Sequence, residues 1–157
     1  MQQRGIATLE IIIAVMIIAM LTKIAMPNAE KIIDRIALDY EHKRLYSELR
    51  FVQSANRSSR ISDNGMQGVL TSANSGKKPT LSINRGKNFY QVFREEALDN
   101  PIREPHYISY GVTIYYLPKS KITFDAEGKS NISDHITLKS RLGKIKEITF
   151  DSVGRMR

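Results

Sequence analysis

Gly5–Ile6–Ala7–Thr8–Leu9–Glu10–Ile11–Ile12–Ile13–Ala14–Val15–Met16–Ile17–Ile18–Ala19–Met20–Leu21 is the stretch on which the reading of this chain turns. A short polar leader ending in Arg4–Gly5 meets an apolar run from Ile6 to Leu21 that holds a single charge, Glu10. An ionised carboxylate in hydrocarbon costs roughly 2.5–3.5 kcal/mol at a helix centre, and less near an end. If the chain is cut after Gly5, the new α-amine on Ile6 lies four residues before Glu10 on the same helical face. That ammonium can neutralise the carboxylate, within the subunit or on a neighbouring helix. It would then set the register between packed helices, as polar residues do at coiled-coil seams.

Three other readings of the run compete. A secretory signal has an apolar core of about 7–15 residues and then a small-residue cleavage site. This core is longer, carries an acid and lacks a clean small-x-small site. A plain transmembrane anchor needs about 17 apolar residues, a limit the run approaches. A buried soluble helix is disfavoured because the run is apolar all round.

Beyond Leu21 the chain turns amphipathic. Thr22 and Lys23 mark a membrane–water boundary to which Lys23 can snorkel. Pro27 removes one backbone donor and is expected to bend or locally melt the helix. From Asn28 to about Ser59 the helical pattern resumes, with Leu38, Leu45, Leu49 and Val52 on one stripe and Asp39 four residues before Lys43. A helix from Ile6 to about Ser59 is about 80 Å long at 1.5 Å per residue. Its first half belongs in lipid or among like helices, and its second half must be covered by the remaining chain. The pattern stops within Arg57–Gly65, where Ser, Asp, Asn and Gly accumulate.

The rest reads as antiparallel strands and turns. Gly68–Thr71 is a short strand and Ser72–Pro79 a polar loop. Thr80–Asn84 and Asn88–Phe93 flank a turn at Arg85–Gly86–Lys87. Glu95–Pro105 reads as a loop and Tyr107–Leu117 as the longest strand. Lys121–Asp125, His135–Lys139 and Lys144–Asp151 complete the set. Ile122–Thr123–Phe124–Asp125–Ala126–Glu127–Gly128–Lys129 recurs as Ile148–Thr149–Phe150–Asp151–Ser152–Val153–Gly154–Arg155. Two copies are too few for a solenoid and point to similar strand–turn units in one sheet.

Composition narrows the chemistry. The 157 residues suit one domain plus an extension, and with no cysteine there is neither a disulfide framework nor thiolate chemistry. The formal net charge of +8 makes nucleic acid, anionic lipid and an acidic protein eligible partners. His42, His106 and His135 are isolated, without metal-ligand spacing or a nucleophile motif. No catalytic residue, metal or cofactor is therefore assigned, and an enzyme is not the expected class. His42 reads as a packed helix residue. Asp125 and Glu127 read as a solvated turn, with too few oxygens for a cation. Tyr115 and Tyr116 are adjacent and in a regular strand face opposite sides, which argues against a base-stacking platform.

The bases are more informative. Ser75–Arg94 carries five (Lys77, Lys78, Arg85, Lys87, Arg94) and no acid; Lys139–Arg157 carries six (Lys139, Arg141, Lys144, Lys146, Arg155, Arg157) against Glu147 and Asp151. Arg155 and Arg157 alternate, so an extended tail points both the same way. Gly154 lets the backbone approach a partner closely. Two guanidinium forks on a flexible, exposed end suit phosphate oxygens. Arg141, Lys144 and Lys146 are candidates by charge and closeness in sequence. The competing reading is a solvated basic face, or one that docks an acidic subunit.

Arg4–Gly5 followed by Ile6–Ala7–Thr8–Leu9–Glu10 and the long apolar run resembles the class III leader of type IV pilins and type II secretion pseudopilins. The resemblance implies that prepilin peptidase cuts after Gly5 and N-methylates Ile6, that Glu10 serves assembly, and that Pro27 loosens the helix; Ile6 departs from the family's usual phenylalanine. Many major pilins close a C-terminal loop with a disulfide, which this chain cannot, and that favours a minor pilin or pseudopilin. The repeated unit and the ending Gly154–Arg155–Met156–Arg157 resemble the GspH/FimT branch, whose Gly-Arg-x-Arg tail binds DNA in natural transformation.

That resemblance implies an α+β, type IV pilin-like fold: a long N-terminal helix, transmembrane in its first half, packed on an antiparallel β-sandwich. Its parts are a leader over 1–5, a helix over 6–60 with 6–22 in the membrane, and a β-rich domain with a basic tail over 61–157. The implied function is a minor type IV pilin that binds extracellular DNA for uptake. Arg155, Arg157 and Gly154 lead the contacts, and Arg141, Lys144 and Lys146 follow. The alternative is a type II secretion minor pseudopilin at the tip of the secretion filament. Implied partners are DNA, other pilins or pseudopilins in a filament, the inner membrane and prepilin peptidase. The implied location is a single pass of the inner membrane with the C-terminal domain periplasmic, then exposed on the pilus.

Overall fold

Leu38, Leu45, Leu49 and Val52 are buried along one stripe, while the apolar side chains from Leu9 to Ile24 stand in solvent on every side. Both belong to one helix, α1 (Gln3–Asp63), of 61 residues. A computed structural model describes residues 3–63, 78–94, 97–151 and 153–157, with side chains over 9–57, 78–94, 101–151 and 153–157. The difference within α1 follows its composition. The stripe spacing of three and four buries one face against the β structure, whereas the N-terminal run has no polar face to turn outward. By length and composition α1 can cross a membrane once. Pro27 sits inside α1 without interrupting it, so the expected local melting is absent. Proline deletes one ladder bond, and intact turns on both sides carry the helix through.

Eight strands follow among the described residues: β1 (Pro79–Asn84), β2 (Phe89–Arg94), β3 (Ala97–Pro101), β4 (His106–Tyr107), β5 (Thr113–Tyr116), β6 (Lys121–Ile122), β7 (His135–Lys139) and β8 (Ile145–Thr149). They form two antiparallel sheets: β3-β2-β1-β6 with β4 also on β2, and β5-β7-β8. The fold is α+β. Leu81, Ile83, Tyr90 and Val92 from the first sheet and Ile114, Ile136, Leu138 and Ile148 from the second join the α1 stripe in one core. Each such side chain contributes about 1.5–3 kcal/mol when fully buried.

Three strand expectations are corrected. Tyr107–Leu117 is not one strand: Tyr110 and Gly111 take positive φ (57° and 74°) and turn the chain between β4 and β5. Glu95–Pro105 is not all loop, because β3 pairs with β2; proline is tolerated at the end of such an edge strand. The segment expected as Lys121–Asp125 pairs only over Lys121–Ile122, with Phe124 bridged separately to Ser130. Gly68–Thr71 and nearly all of Ser72–Pro79 lie outside the described residues. In the β1–β2 hairpin the left-handed residue is Asn88 (φ 51°), while Asn84 Oδ1 accepts the Lys87 amide at 3.0 Å.

Candidate nucleic-acid interface

The sequence echo is a structural one, but its two strands lie in different sheets, β6 beside β1 and β8 beside β7, and not in one sheet as expected. In the first copy the Asp125 amide donates to the Lys129 carbonyl and the Gly128 amide to the Asp125 carbonyl, both at 2.9 Å. In the second the Asp151 amide donates to the Arg155 carbonyl at 2.9 Å and the Gly154 amide to the Asp151 carbonyl at 2.8 Å. Phe124 bridges to Ser130 as Phe150 bridges to Met156. The two phenylalanine rings meet in the core at 6.5 Å. Gly128 and Gly154 both have positive φ (85° and 79°), the conformation that glycine adopts without a Cβ penalty. The copies also dock on each other, since a Cβ on Gly154 would fall on the Gly128 carbonyl.

Gln53 joins both copies to α1. Its buried Nε2 donates to the Gly128 carbonyl at 2.8 Å and to the Gly154 carbonyl at 2.7 Å, while its Oε1 accepts Arg50 Nη1 at 3.2 Å. Every polar atom of that side chain is used, which a buried amide requires.

This docking corrects the expectation of a flexible tail. Arg157 exchanges both backbone hydrogen bonds with Thr149, at 2.9 and 3.1 Å, so the tail continues the β5-β7-β8 sheet as a short added strand. Met156 is 4% exposed and belongs to the core. Gly154 is buried and spends its backbone on the turn and on Gln53, so it is not offered to a partner. Alternation about Met156 leaves Arg155 and Arg157 exposed on one face, as expected. Arg155 Nη2 lies 3.0 Å from Asp151 Oδ2, both largely exposed; such a surface pair contributes little and is readily exchanged.

Arg50 belongs beside them and was missed. Its Nε and Nη2 donate to Tyr46 Oη at 3.1 and 2.8 Å, and Tyr46 Oη donates to the Met156 carbonyl at 3.3 Å. One hydroxyl thus separates an exposed helix guanidinium from the residue between the two tail arginines. Arg57, one helical turn beyond Gln53, has its guanidinium against Gly128. The spacing Arg50, Gln53, Arg57 on one helix face was the readable signal.

Arg141, Lys144 and Lys146 are elsewhere. Arg141 pairs with Glu30 at 3.6 Å and Lys146 with Asp39 at 2.9 Å. Asp39 therefore has Lys146 as its close partner in place of the expected Lys43. Lys144 sits in the turn whose Ser140 hydroxyl donates to buried Asp34 at 2.6 Å, with the Leu142 amide on the same carboxylate at 3.2 Å. The Ser140 hydroxyl, then the Leu142 amide, hold Asp34 below the usual carboxylate range against the opposing effect of burial. These docking points lie about 21–35 Å along α1 from Gln53 at 1.5 Å per residue. The structure brings Gly154, Arg155 and Arg157 together and leaves the other three bases at the far end.

Among the remaining candidates, Glu10 is exposed on the apolar part of α1. Gly5 and Ile6 fall within the helix, but the Ile6 side chain lies outside the described ones, and Lys77 lies outside the described residues. His42 packs against the Glu147 carbonyl at 3.2 Å. His106 is not isolated: its Nε2 meets the buried carboxylate of Glu41 at 2.8 Å and ties β4 to α1. Asp125 Oδ1 accepts the Glu127 and Lys129 amides at 3.0 and 2.7 Å, so this oxygen serves the turn. Among the described residues no group of three or more His, Cys, Asp or Glu is placed to hold a metal ion. Comparison with protein-family models, curated proteins and solved structures found no match.

Proposed function

We propose that this chain is a minor pilin of the GspH/FimT type, anchored in the inner membrane and binding DNA through its C-terminal strand. The observation that carries the reading is the alternation of Arg155 and Arg157 about a buried Met156. It presents two guanidinium groups on one face of a strand held in place on both edges, so little freedom is lost when phosphates dock. Arg50 adds a third exposed guanidinium next to them. The exposed apolar half of α1, with Glu10 as its acid, suits first a bilayer and then a bundle of like helices. Cleavage after Gly5 and methylation of Ile6 by prepilin peptidase complete the reading.

The test uses the full chain in detergent micelles and fluorescence anisotropy with labelled DNA over a salt series. Binding is expected with a log–log slope of about −0.9 per phosphate neutralised on duplex. Arg155→Glu with Arg157→Glu weakens it on the order of 100-fold at unchanged circular dichroism. Undiminished binding by that double variant removes the tail from the mechanism. Mass spectrometry of the mature N-terminus checks the cut after Gly5.

The ion pairs Arg141–Glu30 and Lys146–Asp39 favour a second reading, a minor pseudopilin at the tip of a type II secretion filament, because they use C-terminal charge internally. That reading expects no DNA binding at any salt concentration.

A further inference from the structure

The tail arginines share their face with a row of aromatic rings. Thr149 exchanges hydrogen bonds with Arg157 on one side and stands opposite His135 of β7 on the other. Residues directly opposite in an antiparallel ladder point to the same face. Arg157, Thr149 and His135 therefore form one outward row, while Met156 opposite Phe150 and Ile148 opposite Ile136 lie on the buried face. The His135 ring is stacked on Tyr116, with centroids 4.7 Å apart and planes at 25°. Tyr116 Oη donates to Asp134 Oδ2 at 2.7 Å, so the phenol is fixed at both ends and is still 38% exposed.

A β-bulge extends the row. The β5–β7 register shifts between Ile114 and Tyr116, which puts Tyr115 and Tyr116 both in solvent. The expectation that they face opposite sides fails because two residues of β5 here oppose one of β7. Lys139 Nζ lies 5.1 Å from the Tyr115 ring centroid. Strands spaced by about 4.8 Å place His135 about 10 Å from Arg157. Of the acids near the row, Asp134 is engaged by Tyr116 and His135 and Asp151 by Arg155, while Glu147, opposite Thr137 and two residues from Thr149, is an exposed carboxylate on the same face.

We propose that this face is a strip for single-stranded nucleic acid, with phosphates on Arg155 and Arg157 and unpaired bases stacked on Tyr116 and Tyr115. The inference rests on the DNA-binding reading above and adds the strandedness of the ligand. A duplex hides its base faces, so tyrosines beside the arginines contribute only to an unpaired strand. Because the Tyr116 ring is already fixed, a base can stack on it with little further ordering.

The experiment measures anisotropy of the full chain in micelles with three probes: an oligothymidylate, an abasic strand of equal length and charge, and a duplex of equal length. Oligothymidylate is expected to bind about tenfold tighter than the abasic strand. Tyr116→Ala removes part of that difference and Tyr116→Ala with Tyr115→Ala abolishes it, whereas Tyr116→Phe, which keeps the ring, preserves it. Equal affinity of the unaltered chain for the first two probes overturns the stacking strip and leaves the arginine reading standing. So does an unchanged ratio in Tyr116→Ala, or a duplex bound more tightly than oligothymidylate. Failure to bind all three probes overturns both.

Discussion

The two copies of the strand–turn unit share a backbone and part at their last residues. In the first, the exposed Asn131 folds its side chain back on the backbone of the neighbouring segment: Oδ1 accepts the Thr123 amide at 3.1 Å and Nδ2 donates to the Lys121 carbonyl at 3.1 Å. In the second, Arg157 stands at the matching position, and its backbone carbonyl takes the Thr149 amide at 2.9 Å. The backbone does in one copy what a side chain does in the other, and the arginine side chain is left exposed. Ser130 against Met156 is the second difference, since Met156 enters the core and pins the strand that carries both arginines. The same turn thus closes the end of β6 in the first sheet and arms the end of β8 in the second.

The glycines break the equivalence most strongly. Gly128→Ala meets the end of the exposed Arg57 side chain, which can move aside, and so costs about 1–2 kcal/mol for a left-handed residue. Gly154→Ala meets the Gly128 backbone as well, so the copies must part; about 3 kcal/mol or more is expected. Urea denaturation of both variants, followed by tyrosine fluorescence, checks the asymmetry. Equal losses would mean that the two turns are not docked through their glycines.

Charge reversal separates the copies by function. Lys129 matches Arg155 in the repeat and is paired with Glu127 at 2.9 Å. Lys129→Glu is expected to change DNA affinity by less than about threefold, against the order of 100-fold for the two tail arginines. Comparable losses from both would locate binding at general positive charge rather than at the second copy.

Gln53 tests what holds the copies together. Gln53→Ala strips donors from two buried carbonyls and is expected to cost about 1–3 kcal/mol. Gln53→Glu faces those carbonyls with a carboxylate at neutral pH and is the worse variant there. It recovers part of the loss on acidification, because its folded pKa is raised by the site and the protonated form donates again. A stability that does not rise on acidification, relative to the unaltered chain, would place the amide's role elsewhere.

Much of this was legible in the sequence, and the failures have physical causes. The α1 stripe could be read because a 3.6-residue period repeats through Leu38, Leu45, Leu49 and Val52. The repeat could be read because two strands enter glycine turns in the same pattern. That the turns dock, and so hold the tail, could not be read, because it depends on Gln53 and on contacts about a hundred residues apart in sequence. Arg141 and Lys146 looked like free charge because Glu30 and Asp39 lie far away along the chain. Tyr107–Leu117 looked continuous because β propensity says nothing of the left-handed pair Tyr110 and Gly111.

The smallest effect lies beside the second copy, where the Asp134 carbonyl accepts the Phe150 amide at 2.8 Å. Its carboxyl is held below the ordinary aspartate range, chiefly by the hydrogen bond from Tyr116 and then by the His135 amide. A carboxylate depressed in this way stabilises the fold above its unfolded pKa, and that contribution is lost as pH falls through the lower folded value. Tyr116→Phe removes the chief cause. The Asp134 midpoint, read from its carboxyl resonance, should therefore move up toward the ordinary value, and the stability that this carboxylate loses on acidification should become smaller, its loss complete at a higher pH. The reciprocal effect holds the Tyr116 hydroxyl above its usual range in the unaltered chain. An unmoved Asp134 midpoint would leave the His135 stack as the sole anchor of the ring, and the strip beside the arginines would be looser than its hydrogen bonds imply.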